Sequence, residues 1–156
     1  MKGNKDVVAQ LNDALSGELT AINQYMIHSG MCEHWGYRRL SARGRKQAID
    51  EMKHAKALIE RILFLDGTPS MRPVEITVGQ EVRAQFQNDL ALETGAVASY
   101  NSAIRVAREA GDDASRALFT RLLEDEEAHV NWFEAQLRLV EEVGYGQYLA
   151  EQMSED

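Results

Sequence analysis

Cysteine is almost absent from this sequence, which has a single one, Cys32, among 156 residues. One cysteine forms no disulfide within the chain, and it cannot build the four-thiolate sites that hold structural zinc or rubredoxin-type iron. A reducing cytoplasm is therefore the expected location. The first six residues carry charge, but no apolar stretch follows them, so no signal peptide is predicted.

Proline and long apolar runs are also scarce, and acidic residues outnumber basic ones by 25 to 17. With two prolines and abundant Ala, Leu, Glu, Arg and Gln, the composition favours helix. No apolar run approaches the roughly 18 residues that suggest a membrane-spanning helix. The net charge of −8 disfavours nucleic acid and anionic membranes as partners and would attract cations. The length predicts one domain, residues 1–156.

Apolar residues recur at helical spacing over most of the chain. They predict five helices, at roughly 6–34, 37–65, 80–110, 113–143 and 145–153. The segment Gly67–Gly79, with Pro69 and Pro73, favours extended chain and is long enough to run back along a whole helix. Such a crossover makes the third helix parallel to the second, which predicts an all-α, ferritin-like four-helix bundle. The short fifth helix must dock on something, and a neighbouring subunit is expected.

The motif Glu-x-x-His occurs once in each half of the chain, first as Glu51 with His54 and then as Glu126 with His129. Residues three apart on a helix share a face, so each copy can direct a carboxylate and an imidazole at one point. A single copy on a charged helix is common and carries little weight alone. Two copies in corresponding places predict a metal-binding unit in each half of the chain.

The shift that superposes Glu51 on Glu126 relates further positions and reveals an internal repeat. It superposes Glu18, inside the apolar stripe of the first helix, on Glu93, and Tyr25 on Tyr100. Each half is therefore one helical hairpin with a lone Glu on its first helix and Glu-x-x-His on its second. A buried ion pair can explain one Glu inside an apolar stripe, but it does not explain the matched set.

Four carboxylates buried together repel one another unless cations balance them. Oxygen and imidazole ligands without thiolate fit iron or manganese better than a structural zinc. The sequence thus predicts a di-metal centre, with one metal on Glu18 and His54 and the other on Glu93 and His129. Its two bridging carboxylates would be Glu51 and Glu126.

Two tyrosines and two histidines lie outside this set of candidate metal ligands. Tyr25 and Tyr100 lie two turns from the lone Glu of their own helices. Packing is the default for each, although a phenol beside a di-iron centre could also donate an electron. His28 and His34 lack a carboxylate at the motif spacing, so surface or packing roles are predicted for both.

Taken together, these residues resemble a bacterioferritin over the whole chain. The similarity is carried by five stretches, Met1–Gly3, Glu18–Tyr25, Asp50–Ala55, Arg61–Leu65 and Asp125–His129. The resemblance implies a cytoplasmic, hollow cage of 24 copies of the chain. Such a cage oxidises Fe(II) and stores Fe(III) mineral inside.

Met52 interrupts the internal repeat, because Glu127 occupies the corresponding position. By itself a lone Met indicates packing. The resemblance instead implies that Met52 is an axial ligand of haem b, and that this haem is shared across a twofold dimer. It also implies that a bacterioferritin-associated ferredoxin supplies the haem with electrons for iron release. Two departures stand out. Some members have a His where this chain has Lys46, and that His binds iron together with Asp50 on the inner wall of the cage. Some members also have an apolar residue that contacts the ferredoxin near the position of Thr68, which is polar.

The sequence therefore predicts a haem-containing ferritin with ferroxidase activity. The alternatives are a di-iron oxidase or peroxidase of the same bundle, and a haem-binding or metal-free bundle, neither of which stores mineral. The sequence leaves open whether O2 or H2O2 is the oxidant, and whether the iron pair stays in place or moves into the cavity. A second type of ferritin subunit is also left open.

Overall fold

The computed structural model describes residues 1–72 and 74–154, and these contain five helices and no strand. The helices are α1 (Lys5–Trp35), α2 (Arg38–Phe64), α3 (Val82–Glu109), α4 (Asp113–Val143) and α5 (Tyr145–Glu151). The all-α bundle with a short fifth helix is thus confirmed, and the bounds agree closely with the predicted ones. Pro73, predicted to favour an extended crossover, lies outside the described residues.

Local sequence signals explain where the long helices begin and end. The Asn4 side chain accepts hydrogen bonds from two backbone N–H groups in the first turn of α1. Gly36 ends α1 with a φ of +87°, a left-handed conformation that favours glycine. Asp112 caps α4, since its side chain accepts a hydrogen bond from the backbone N–H of Ser115.

The bundle consists of two helical hairpins, α1 with α2 and α3 with α4, which meet through α1 and α3. Gly44 lies where α2 approaches α1 closely. A Cβ at that position would lie 3.2 Å from the Cβ of Ser29, which is tighter than ordinary contact. The helix-propensity cost of this glycine, about 1 kcal/mol relative to Ala, is therefore offset by close packing.

The crossover between α2 and α3 runs along α1. Its backbone donates to α1 side chains at four points, which pair Ser70 with Asn12, Arg72 with Ser16, Thr77 with Gln24 and Gly79 with His28. Because both sets of numbers rise together, the crossover runs parallel to α1. It therefore starts α3 at the same end of the bundle as α2, as predicted from its length.

The apolar core consists of two clusters, one containing Leu11, Leu58 and Phe119 and the other containing Tyr25 and Phe133. On each of the four long helices, a buried Glu falls between the residues of the first cluster and those of the second. The bundle thus has a polar layer between two apolar ones.

The short helix α5 docks on its own chain, through contacts with α4 and with the start of α2. Tyr148 is 3% exposed, and its hydroxyl donates a 2.6 Å hydrogen bond to Gln136 of α4. The backbone N–H of Arg39 donates to the carbonyl of Gln152 just beyond α5. Across the described ranges, none of the helices has the length and apolar character needed to cross a membrane.

Candidate metal centre

The polar layer of the bundle brings together the six residues of the predicted di-metal centre. Each long helix contributes one Glu, and α2 and α4 each add a His one turn further on. All six side chains are buried: Glu18, Glu51, His54, Glu93, Glu126 and His129. The helical spacing of the two motifs directs each Glu and its His to the same point, as expected.

One group of these residues surrounds the imidazole of His54. Its Nδ1 lies 3.4 Å from Glu18 Oε1, 3.3 Å from Glu51 Oε2 and 3.1 Å from Glu126 Oε1. The four residues offer ligand atoms that all lie within 4.8 Å of one another. This group could hold one metal ion.

A second group surrounds the imidazole of His129. Its Nδ1 lies 3.4 Å from Glu93 Oε1, 3.0 Å from Glu51 Oε1 and 3.1 Å from Glu126 Oε2. The ligand atoms of these four residues also lie within 4.8 Å of one another, so they could hold a second ion.

Glu51 and Glu126 belong to both groups. Glu51 directs Oε2 towards His54 and Oε1 towards His129, and Glu126 directs Oε1 towards His54 and Oε2 towards His129. A carboxylate with one oxygen on each side is suited to bridge two cations. The structure thus brings together the six residues that the internal repeat relates.

Protons stabilise the centre in its metal-free form. Burial, followed by the hydrogen bond with Glu51, raises the pKa of Glu18 well above its usual value. Burial and the hydrogen bond with Glu126 do the same for the pKa of Glu93. Glu18 in its pair with Glu51, and Glu93 in its pair with Glu126, are therefore the protonated carboxyls. Glu18 Oε2 is buried and has no hydrogen-bond partner among the described residues, so this oxygen is available to coordinate a cation.

The other ionisable groups of the centre are charged. Burial acts to raise the pKa of Glu126, but hydrogen bonds from Glu93, His129 and His54 outweigh it and leave that pKa below its usual value. Burial acts to lower the pKa of His129, but its hydrogen bonds to Glu126, Glu51 and Glu93 raise it to about 12. The pKa of His54 is raised in the same way, against burial, by surrounding carboxylates. Two imidazolium ions thus face two carboxylates.

Two buried tyrosines bind the lone Glu residues, but not those of their own helices. Tyr25 on α1 donates a hydrogen bond to Glu93 on α3, and Tyr100 on α3 donates one to Glu18 on α1. Burial, followed by the nearby carboxylates, raises the pKa of both phenols. Both tyrosines are therefore neutral donors at the edge of the centre. The sequence placed each of them near a Glu but did not indicate this exchange between hairpins.

The centre is reached from two sides of the bundle. A cavity of about 310 Å³ between α1 and α3 is lined by the four Glu residues and by small residues, including Gly17 and Gly95. A second, of about 470 Å³ between α2 and α4, is lined by both histidines together with Asp50, Lys53 and Asp125. Small solutes can thus approach the carboxylates from one side and the imidazoles from the other.

His28 has a role that the sequence did not reveal. It is buried, and its Nδ1 lies 3.1 Å from Asp89 while its Nε2 accepts a 3.0 Å hydrogen bond from the backbone N–H of Gly79. Asp89 also accepts a hydrogen bond from Gln24. The network connects α1, α3 and the crossover, whereas His34 is exposed. The partners of His28 come from distant segments, so no local spacing signals them.

Met52 lies outside the centre, on the opposite side of α2. Its side chain is 55% exposed, whereas that of the adjacent Glu51 is 1% exposed. Ile49, one helical turn away on the same face, is also exposed, at 48%. The face of α2 turned away from the metal centre thus presents an accessible thioether beside an exposed Ile side chain.

Known proteins are similar to this sequence over nearly its whole length. Residues 8–143 match the family model described as a ferritin-like domain. The bacterioferritin of Mycobacterium leprae is 42% identical over 155 residues, which cover 99% of this chain and 98% of that protein. The bacterioferritin of Brucella melitensis is 42% identical over 149 residues (95% and 92%). That of Streptomyces coelicolor is 40% identical over 151 residues (96% and 90%).

Proposed function

Because this chain belongs to the bacterioferritin family, we propose that it oxidises Fe(II) to Fe(III) with O2 or H2O2 and stores the product as mineral inside a hollow oligomeric cage. The position of Glu51 and Glu126 carries the proposal, since each has one oxygen towards His54 and one towards His129. This geometry supports two adjacent Fe(II) ions. Together they supply the two electrons that reduce O2 to peroxide or H2O2 to water.

In this proposal the six buried residues bind the substrate iron. Glu18 and His54 hold one Fe(II) ion, Glu93 and His129 hold the other, and the remaining two carboxylates bridge them. Four carboxylates balance the four positive charges of two Fe(II) ions, so loading replaces protons without changing the net charge of the buried layer. This balance makes the burial of four Glu residues compatible with a stable core.

The chain's own groups also move protons and position ligands. The protons of Glu18 and Glu93, and those of the two imidazolium ions, leave as Fe(II) enters. Tyr25 and Tyr100 hold the carboxyls of Glu93 and Glu18 through the hydrogen bonds that cross the bundle. We further propose that Tyr25, bonded to an iron ligand, can donate an electron when the oxidant needs more than the iron pair provides.

We also propose that Met52 is an axial ligand of haem b. The exposed thioether beside the apolar Ile49 fits such a group, and one copy of the chain offers one Met here. The second ligand would come from Met52 of another copy, so haem would lie between twofold-related chains. Haem held by two thioethers supplies a one-electron carrier of raised potential. An associated ferredoxin would reduce it for iron release, in the cytoplasm.

Fe(II) oxidation in air tests the ferroxidase part of the proposal. The near-ultraviolet absorbance should rise rapidly in the wild type, and the rapid phase should be lost in Glu51→Ala and Glu126→Ala. Glu127→Ala is the matched control, because Glu127 is exposed and adjacent to Glu126. A rapid phase that survives in both variants of the bridging residues would contradict the proposed centre.

Sizing and haem analysis of the purified protein test the remaining parts. We expect a 24-subunit cage that retains an iron core. A dimer with rapid Fe(II) oxidation would instead support an oxidase or peroxidase without storage. Met52→Leu should abolish the haem spectrum. Met26→Leu is the matched control and should preserve the spectrum, because Met26 is also more than half exposed but is not a proposed ligand. An unchanged spectrum in Met52→Leu would exclude it as the axial ligand.

A further inference from the structure

The two histidines of the centre differ in what they contact on the side away from the carboxylates. His54 Nε2 lies 2.9 Å from the carboxylate of Asp125 on α4. His129 Nε2 has no hydrogen bond or ion pair with any residue in the described ranges; its contacts all involve Nδ1. The His54 imidazole thus contacts carboxylates through both ring nitrogens, whereas the His129 imidazole contacts them through Nδ1 alone.

The internal repeat makes this difference unexpected. Asp50 occupies the position in the first half that Asp125 occupies in the second, so symmetry would place Asp50 against His129. Asp50 instead lies 3.7 Å from the ammonium groups of both Lys46 and Lys53. The counterpart of Lys53 in the second half is Ala128, which has no charge. A lysine present in one half only therefore accompanies the broken symmetry.

We propose that Asp125 is a positioning residue for His54 and that, as a result, the two metal positions of the centre are inequivalent. The position of Glu18 and His54 binds its ion more tightly than the position of Glu93 and His129. This inference rests on the proposed function, because it assumes that both positions take divalent cations.

The chemistry of metal-bound histidine supports this assignment. A carboxylate that accepts the Nε2–H proton leaves the Nδ1 lone pair free for the metal, fixes the plane of the ring and makes the imidazole a stronger ligand. Removal of such a partner typically lowers metal affinity by about 10–100-fold. Asp125 is 55% exposed, so water weakens its interaction, and we expect an effect of about tenfold, at the low end of that range.

Titration with Co(II), followed by its visible absorption, tests the inference without any redox reaction. The wild type should take up two ions per chain in two distinguishable steps. Asp125→Ala should weaken the tighter step about tenfold, and Asp125→Asn should have a smaller effect because its amide oxygen still accepts from Nε2–H. Glu124→Ala is the matched control, since it removes the same charge from the exposed residue next to Asp125 and should leave both steps unchanged.

Two further variants assign the steps to the two positions. His129→Ala should retain the tight step, and His54→Ala should lose it. Circular dichroism of each metal-free variant would verify that the bundle is folded. Two steps of equal affinity in the wild type, or equal effects of Asp125→Ala and Glu124→Ala, would overturn the inference. A wild type that binds no pair of Co(II) ions would instead contradict the proposed function itself.

Discussion

The hydroxyl of Tyr100 on α3 donates a 2.5 Å hydrogen bond to Glu18 on α1. Its repeat counterpart, Tyr25 on α1, donates to Glu93 on α3, so each hairpin holds a carboxyl of the other. The same hydrogen bonds therefore position two candidate metal ligands and join the two halves of the bundle. A change at either tyrosine should affect both stability and metal binding.

We expect Tyr100→Phe to lower the free energy of unfolding of the metal-free protein by about 1–3 kcal/mol, because it leaves a buried Glu18 oxygen without its donor. Denaturant unfolding followed by circular dichroism measures this. Tyr37→Phe is the control, since the Tyr37 hydroxyl makes no hydrogen bond within the described residues, and it should have little effect. Equal stability of the two variants would show that the hydrogen bond contributes nothing net.

Metal binding should release protons. The pKa values of Glu18, Glu93, His54 and His129 are all raised in the metal-free protein, that of His129 to about 12. These four groups therefore hold protons at pH 7 and lose them to bound cations, so affinity should fall as the pH falls. Zn(II) titration in weak buffer with a pH indicator should detect about four protons per two ions. Release of fewer than about two would contradict this protonation pattern.

The same raised pKa values predict how the stability of the metal-free protein depends on pH. The folded pKa of His129, about 12, lies above its ordinary value of 6.5. Its protonated form therefore stabilises the fold fully below pH 6.5, and that contribution is lost as the pH rises towards 12. Thermal unfolding of the metal-free protein should accordingly shift to lower temperature over this interval, and His129→Gln should reduce the shift.

His28→Ala should loosen the crossover. It removes the acceptor of the Gly79 N–H and one partner of the buried Asp89, which we expect to cost on the order of 2 kcal/mol. Hydrogen exchange should accelerate at Gly79 and in neighbouring crossover residues more than in α2 or α4. His34→Ala, at an exposed position, should leave exchange unchanged. Uniform acceleration throughout the bundle would indicate a general loss of packing instead.

Gly95→Ala should stabilise α3 by about 0.5–1 kcal/mol, because a Cβ there would meet no atom within 4 Å. Gly44→Ala is the contrasting variant, since its Cβ would lie 3.2 Å from Ser29, and it should gain less or lose stability. Thermal unfolding compares the two. The Gly95 variant also narrows the cavity between α1 and α3, so slower Fe(II) oxidation with higher stability would identify that cavity as a route to the centre.

Much of the fold followed from local patterns in the sequence. Helical spacing predicted the bounds of α1–α5, and the length of Gly67–Gly79 predicted a crossover along the bundle. These features depend on residues close together in the chain, where helix geometry leaves few alternatives.

The docking of α5 and the partners of His28 could not be predicted in the same way. Tyr148 packs against its own chain, and His28 bonds to Asp89 and Gly79, which lie in distant parts of the sequence. Such contacts depend on how neighbouring helices are rotated and offset, and the helical pattern of one segment contains no information about either.

The sequence by itself determined that two Glu-x-x-His motifs and two lone Glu residues would share one layer of a bundle, because their spacing matches helix geometry and recurs in both halves of the chain. Only the tertiary structure decided how the two halves differ and interlock. The tyrosines bind across the hairpins, and Asp125 reaches His54 while lysines hold Asp50. A repeat in sequence predicts symmetry, whereas side-chain contacts between helices determine where that symmetry ends.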